Sequence, residues 1–332
     1  MVTMSDVARL AGVSTMTVSN VVNNRPGVSG PVRTRVQEAI RQSGYRVNTS
    51  ARTLRSGRTG VIGLAVPEIG RSYFGLLAAH VIEQAGRLGF HVAVEQTGAA
   101  ADGELDAIAH SHTLHFDGLI LSAVGLDSRD RRLAEADYPI VMLGEQDYGG
   151  RLDHVAMPNE EGTRAATAHL IERGCRRVAV VTGGALEGVN VVTRRYQGYL
   201  AAHADRGLTP DPALRFAVTA MSPEGGRDAA HRLADSGLAI DGVVCVTDTV
   251  AQGVLRGLAD RGLRVPDDIR LVGYDDIPEA AMMVPSLSTV APDHRWMAAT
   301  AVELVVGRIH DGGRPASEHV APFELMARES TR

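Results

Sequence analysis

From residue 60 onward, short apolar runs alternate with stretches whose apolar residues recur every three or four positions. An apolar run of four to eight residues bounded by turn formers reads as a buried strand. The three-to-four spacing reads as a helix with one inner face. VIGLAVP predicts the first strand, and Tyr73 to Leu88 the first helix. HVAVEQT, a helix from Asp102 to Leu114, DGLILSAV, a short helix around Arg131 to Ala136, and PIVMLGE follow. A second set begins near Asn159, with a helix from Glu160 to Arg173, then RRVAVVTGG, a helix through Arg195 to Ala204, and LRFAVTA. It continues with a helix from Glu224 to Ser236, DGVVCVTD, a helix from Val250 to Arg261, and IRLVGYDD. LSTVAP is expected to cross back to the first lobe, ahead of a last helix from Trp296 to His310, and VAPFELMARES to close as a strand of the second. This repetition predicts an α/β two-lobed clamshell of doubly wound parallel sheets, with right-handed crossovers. Lobe 1 spans about 60–158 and 291–318, and lobe 2 about 159–290 and 319–332.

The first 47 residues follow a different, all-α pattern. Ser5 is placed to cap a short helix through Asp6 to Ala11, Gly12 suits its left-handed exit, and Ser14 suits the cap of a second helix. Two short helices joined by a glycine turn make a helix-turn-helix. In the second helix Val18, Val21 and Val22 fall at i, i+3, i+4 and face inward. Thr15, Met16, Ser19, Asn20 and Asn23 lie opposite, with groups suited to base edges in a major groove. A turn at Arg25-Pro26-Gly27 leads to a third helix opened by Val28-Ser29-Gly30-Pro31, with Val32, Val36, Ala39 and Ile40 inward and Gly44 at its end. In NTSARTLRSG, Asn48 suits a helix cap and Gly57 a helix end. That helix is shorter than the ~12–15 residues at which isolated helices become marginal in water, so it is expected to order on a partner. The organisation expected is 1–47 head, 48–59 hinge or linker, and 60–332 body.

Charge separates head from body. Residues 1–58 carry nine arginines against Asp6 and Glu38, a net of +7, which leaves −12 for the rest of a chain whose total is −5. A basic head on an acidic body directs phosphate attraction to the segment holding the helix-turn-helix. The chain is 44% hydrophobic without a run of 18 apolar residues, so no membrane span is expected, and its polar start carries no secretory signal. With only Cys175 and Cys245 and no CxxC, neither a disulfide framework nor a cysteine zinc site is expected, and the compartment expected is the cytoplasm. His110, His112 and His115 have no adjacent carboxylate or cysteine to complete a metal set and read as a solvated helix end. GxxxxGK[ST], GxGxxG and GxSxG are absent, so neither an enzyme nor a cofactor is expected.

Together, TMSDVARLAGVSTMTVSNVVN, the VS-initiated third helix, Gly44-Tyr45 and the segment from Asn48 to Gly57 resemble the lactose-repressor/galactose-repressor family of bacterial transcription regulators. The resemblance covers essentially the whole chain. It implies a double-stranded DNA operator and DNA contacts from Thr3, Met4, Ser14, Thr15, Met16, Ser19, Asn20, Asn23, Ser29, Arg33 and Tyr45. In the hinge it implies contacts from Asn48, Ala51, Leu54 and Arg55. Thr15, Met16 and Asn20 would choose the operator. In the family, paired hinge helices enter the minor groove and a leucine from each wedges into a base step; Leu54 occupies that place. Tetrameric members carry a leucine-heptad helix after the last strand. None follows FELMARESTR, so a homodimer on a pseudo-palindromic operator is expected.

Ligands of doubly wound sheets bind outside the carboxyl ends of the strands. Tyr73, Phe74, Ser122, Thr247, Asp248 and Asp275 sit at such ends, and Arg195 lies on the helix after RRVAVVTGG. Aromatic faces stack on apolar ring surfaces, while Asp and Arg offer paired acceptors and donors to vicinal hydroxyls or a heterocycle edge. By position alone an Asp at a strand end is as often a helix cap, and an Arg in a helix is usually solvated. The resemblance singles out Arg195 and Asp275, because RxxGY and GYDD match the family's effector-binding motifs. It implies a small-molecule effector between the lobes, a sugar or sugar derivative, with a purine or nucleoside as the alternative. Arg195→Ala or Asp275→Ala is expected to keep operator binding and lose the ligand response. The chain departs from the family at Pro158-Asn159 (commonly Asp-Asn), at Met221 (often aromatic), at Arg71-Ser72 (usually Asn-Pro) and at Pro292-Asp293 (commonly Gln-Pro). A solute-binding protein or a sugar- or nucleoside-processing enzyme would share the clamshell but not the basic head.

Overall fold

In the computed structural model the chain divides into two compact units, 1–59 and 60–332. The structure describes residues 2–22, 25–45, 57–127, 130–134, 138–146, 148–184 and 186–332.

The first unit holds α1 (Met4–Ala11), α2 (Thr15–Val22) and α3 (Gly30–Ser43) around one small core. Val7, Val18 and Val36 are fully buried there, and Ala8, Ala11, Val21 and Ala39 nearly so. Val22, Val32 and Ile40 pack against them, and so do Met4 and Tyr45. The cap of α1 is Thr3, not Ser5. The Thr3 side chain accepts the Asp6 N–H, and the Asp6 carboxylate accepts the Thr3 N–H at 2.9 Å, a reciprocal capping box that Ser5, already inside the helix, cannot form. Gly12 closes α1 at φ 63° and Gly44 closes α3 at φ 64°. These left-handed values favour glycine over a residue with a Cβ.

The second unit is built on two six-stranded sheets. The first contains β1 (Val61–Val66), β2 (His91–Gln96), β3 (Gly118–Ser122), β4 (Ile140–Leu143), β5 (Asp153–Ala156) and β11 (Glu318–Val320) in the order β11-β5-β4-β3-β1-β2, all parallel. The second contains β6 (Val178–Gly183), β7 (Arg215–Val218), β8 (Gly242–Cys245), β9 (Arg270–Tyr274), β10 (Ser288–Pro292) and β12 (Phe323–Met326) in the order β12-β10-β9-β8-β6-β7. Only the β10–β12 pair of that sheet is antiparallel. The helices between strands are α4 (Ser72–Arg87), α5 (Ala101–Thr113), α6 (Arg131–Ala134), α7 (Asn159–Glu172), α8 (Val191–Ala204), α9 (Pro223–Asp235), α10 (Asp248–Asp260) and α11 (His294–His310). β1 is buried from Ile62 to Val66, and β3 and β4 along their whole lengths, as parallel strands covered on both faces must be.

Two expectations need correction. LSTVAP does not cross back: β10 lies inside the second sheet between β9 and β12, and the crossing follows at Asp293, the cap of α11. Ser288 and Thr289 are fully buried, and their hydroxyls find partners only there, on Thr331 and on the Asp248 carboxylate. Helix α8 starts at Val191, a turn before Arg195, because Asn190 caps it through a reciprocal bond with Thr193.

Helices α9 and α10 approach closely at glycine. A Cβ on Gly253 would stand 1.8 Å from the Pro223 carbonyl oxygen and 2.8 Å from the Arg227 nitrogen. Gly253→Ala is therefore expected to destabilise the protein by about 1–3 kcal/mol or more, although alanine normally gains about 1 kcal/mol over glycine in a helix. Gly86, helical and with open space around its Cβ position, is the control: Gly86→Ala is expected to stabilise. Urea unfolding midpoints that move the same way in both variants would contradict this.

Candidate functional site

The head presents the outer face of α2. Thr15 and Met16 are exposed, Met16 by 66%, while Val18 and Val21 pack inward. Ser19 and Asn20 are half-buried on the flank. The Ser14 hydroxyl accepts the Thr17 N–H at 3.1 Å and fixes the start of the helix. Ser29 precedes α3 without a side-chain cap bond, and Arg33 donates to the Arg25 carbonyl at 3.0 Å. Thr3 serves as the cap of α1, and Met4 and Tyr45 pack on the head core, so each has a structural role where the resemblance implies a contact. Asn23, Asn48, Ala51, Leu54 and Arg55 lie outside the described residues. A short helix with small polar and flexible apolar groups outward and valines inward is the shape that enters a major groove.

In the second unit a cavity of about 440 Å³ opens at the carboxyl ends of both sheets, within the ~300–1,000 Å³ range of small-molecule sites. Tyr73 and Phe74 reach it from α4, Ser122 from the end of β3, and Arg195 from α8. Met221, Thr247 and Asp275 complete the candidates found there. The ring of Tyr73 sits 4.8 Å from that of Phe74 and 5.3 Å from the imidazole of His294.

Arg195 is the polar centre. It is 3% exposed, its Nε donates to Asn159 Oδ1 at 2.7 Å, and one terminal nitrogen donates to Asp275 Oδ1 at 3.0 Å. The other terminal nitrogen bonds the Val246 carbonyl, and the guanidinium lies 3.5 Å from the centre of the Tyr274 ring. Tyr274 is held in place by its hydroxyl, which donates to the Pro158 carbonyl at 3.0 Å. Gly162 leaves room for that ring, because a Cβ there would meet Tyr274 at 2.9 Å. The sequence reading did not include Asn159 or Glu145. Asn159 donates to Glu145 Oε1 at 2.8 Å while accepting from Arg195, so it links a first-lobe carboxylate to the second-lobe cluster. Burial pushes the Glu145 and Asp275 carboxyls above the ordinary range, and the Arg195 charge offsets only part of that rise.

Asp275 comes directly after β9 at φ 112°, and Asp276 follows at φ 48°. A non-glycine residue in that region carries on the order of 1–3 kcal/mol of strain and persists only where its surroundings fix it. Here the Asp275 N–H donates to the Val290 carbonyl at 2.9 Å, and its carbonyl is bonded by His294. Asp276 is held by Arg328 at 2.6 Å. The strained turn points the Asp275 carboxylate back at Arg195.

Asp248 does not line the cavity. Its carboxylate is held by protein groups, accepting from Thr289 Oγ1 at 2.6 Å and from the Ile277 N–H at 3.0 Å. The Cβ-free Gly273 makes space for it, because a methyl group there would stand 2.0 Å from Asp248 Oδ1. Thr247 keeps both roles, lining the cavity and capping α10 by accepting the Val250 N–H at 3.2 Å. His110 meets a carboxylate, Glu95, at 2.8 Å, but among the described residues no group of three or more His, Cys, Asp or Glu could hold a metal. Among those residues no helix is long and apolar enough to cross a membrane.

Residues 3–48 match the family described as bacterial regulatory proteins, lacI family, and residues 167–331 match the periplasmic binding protein-like domain. The ribose operon repressor of Halalkalibacterium halodurans is 30% identical over 100% of this chain and 98% of its own. The HTH-type transcriptional regulator DegA of Bacillus subtilis is 31% identical over 99% and 98%. Among solved structures, the lac repressor dimer bound to operator and the anti-inducer ONPF superposes with a TM-score of 0.85, at 25% identity and 99% coverage of both chains. A LacI-family transcriptional regulator of Sanguibacter keddieii superposes with a TM-score of 0.76, at 40% identity over 83% of this chain and 99% of that one. With a basic three-helix head and a two-sheet body around a cavity, and with relatives of this kind along its full length, the chain belongs to the lacI family of bacterial regulatory proteins and is a DNA-binding transcription regulator.

Proposed function

We propose that the protein is a repressor released from its operator by a small molecule bound in the cavity, and that it works as a cytoplasmic homodimer without enzymatic activity. The observation that carries this reading is the cavity itself, where Tyr73 and Phe74 from the first lobe face Arg195 and Asp275 from the second. A ligand that touches both lobes binds one lobe arrangement better than another, and only such differential binding can change DNA affinity. A carbohydrate effector fits the relative named as a ribose operon repressor. A purine is the second reading, favoured by relatives called PurR at 31% identity.

The head reads DNA through Thr15, Met16 and Asn20, with Ser14, Ser19, Asn23, Ser29 and Arg33 around them, and two heads related by a two-fold axis require a pseudo-palindromic site. Arginines on the head make log K fall steeply with log salt, at a slope of about −0.9 per phosphate neutralised. Binding of the full-length chain to random duplex DNA across a salt series tests this, and a flat response contradicts it. Leu54 is proposed as the minor-groove wedge. Leu54→Ala is expected to weaken operator binding and reduce DNA bending while leaving non-specific affinity nearly unchanged. A variant that bends and binds its operator like the wild type reduces Leu54 to a linker residue.

A further inference from the structure

We propose that the cavity selects an uncharged, hydroxyl-rich ring compound and rejects phosphate esters, and that Glu145 is the residue setting this choice. The proposal rests on the reading of the cavity as the effector site.

The polar groups around the cavity are unequally satisfied. Both cations are already paired with protein groups. Arg195 has Asn159, Val246 and Asp275 as partners, and its side chain is only 4% exposed. Arg71 is bonded to Glu68 at 2.6 Å at the rim. The acceptors are open. Glu145 Oε1 takes the Asn159 amide and Asp275 Oδ1 takes Arg195, but the second oxygen of each carboxylate takes no protein hydrogen bond among the described residues. The Ser122 hydroxyl, at the cavity wall, makes no protein hydrogen bond among the described residues and can both accept and donate. Acceptors facing an enclosed space call for a ligand that brings donors.

Charge narrows the class further. Burial disfavours the ionised form of both Glu145 and Asp275. A phosphate or carboxylate ligand would add negative charge beside these two desolvated acids, where the low dielectric strengthens repulsion. A hydroxyl donor relieves the same groups. A purine brings N–H donors too, but its ring-nitrogen and carbonyl acceptors would face the same acceptor-rich wall, so only part of its edge is matched. Tyr73, Phe74, Met157, Met221 and Met297 supply a broad apolar surface for the C–H face of a ring.

The test is a thermal-shift and binding series on the full-length protein with neutral pentoses, hexoses and disaccharides, their phosphate esters, and purine bases. The expected result is a melting-temperature rise with at least one neutral sugar, and at least about tenfold weaker binding of its phosphate ester. Glu145→Gln, which keeps the shape and removes the charge, should narrow that ratio. The proposal is overturned if a phosphate ester or a purine binds better than every neutral sugar, or if no sugar shifts the protein. It is also overturned if Glu145→Gln preserves the full discrimination. A neutral sugar that binds as expected but leaves operator affinity unchanged keeps this ligand class and removes the effector role.

Discussion

Arg195→Ala should lower the melting temperature of the protein sharply as well as silence its response to effector. Arg195 and Asp275 form a buried pair, with side chains 4% and 7% exposed. Removing one partner of such a pair leaves an uncompensated buried charge and costs about 3–5 kcal/mol. At roughly 2–4 °C per kcal/mol for a domain of this size, the loss is roughly 6–20 °C. Asn159 also loses its donor, and Tyr274 loses the cation stacked on it. The simple expectation from sequence, in which Arg195→Ala or Asp275→Ala affects the ligand response alone, therefore needs amendment: the same arginine binds the lobe together. Asp275→Asn should be milder, because the amide oxygen can still accept from Arg195. Replacing Arg195 and Asp275 together with leucine should recover part of the loss, since no lone charge remains. Calorimetry on the three variants decides this, and a wild-type melting temperature for Arg195→Ala would sink it.

Asp248→Asn is expected to flatten the dependence of stability on pH. Burial first, and the nearby Asp275 charge second, push the Asp248 carboxyl from its ordinary 3.8 up to about 8, against hydrogen bonds from Thr289 and the Ile277 N–H. Between those values the folded protein holds a proton on Asp248 that the unfolded chain has released. The stability tied to that proton is complete below 3.8 and is lost progressively as pH rises toward about 8, at up to about 1.4 kcal/mol per pH unit. Asparagine imitates the neutral acid and cannot release the proton. Urea unfolding from about pH 5 to about pH 8 should therefore show a shallower decline for Asp248→Asn than for the wild type. Parallel curves would mean that Asp248 is ionised in the folded protein.

Most strands and helices were legible in the sequence because their apolar periodicity is strong, as in VIGLAVP and DGLILSAV. What escaped was written in polar residues. β5 reads Asp-His-Val-Ala, yet Asp153 is fully buried, accepting from Ser317 N–H at 2.8 Å and from the Arg308 guanidinium, both distant in sequence. No local pattern announces a strand whose polar side chains find partners more than 150 residues away. The same reason hid the place of β10, whose Ser288 and Thr289 are satisfied by Thr331 and Asp248. At the cavity, strand ends and family motifs located Tyr73, Phe74, Ser122, Arg195, Met221, Thr247 and Asp275. Asp248 shared their signal, but as the first residue of α10 it gives its carboxylate to Thr289 and the Ile277 N–H. Glu145 lies in a loop without a motif, and Asn159 stands out only beside the altered Pro158; the fold brings both to Arg195.

The central claim is that a ligand in the cavity governs DNA affinity, and one titration tests it directly. A duplex selected from a random library by the full-length protein is titrated by fluorescence anisotropy, with and without the compound that most raises the melting temperature. Allosteric coupling of ordinary size predicts that saturating compound weakens binding by about 5–150-fold. Superimposable curves, with the compound shown to be bound, would contradict it.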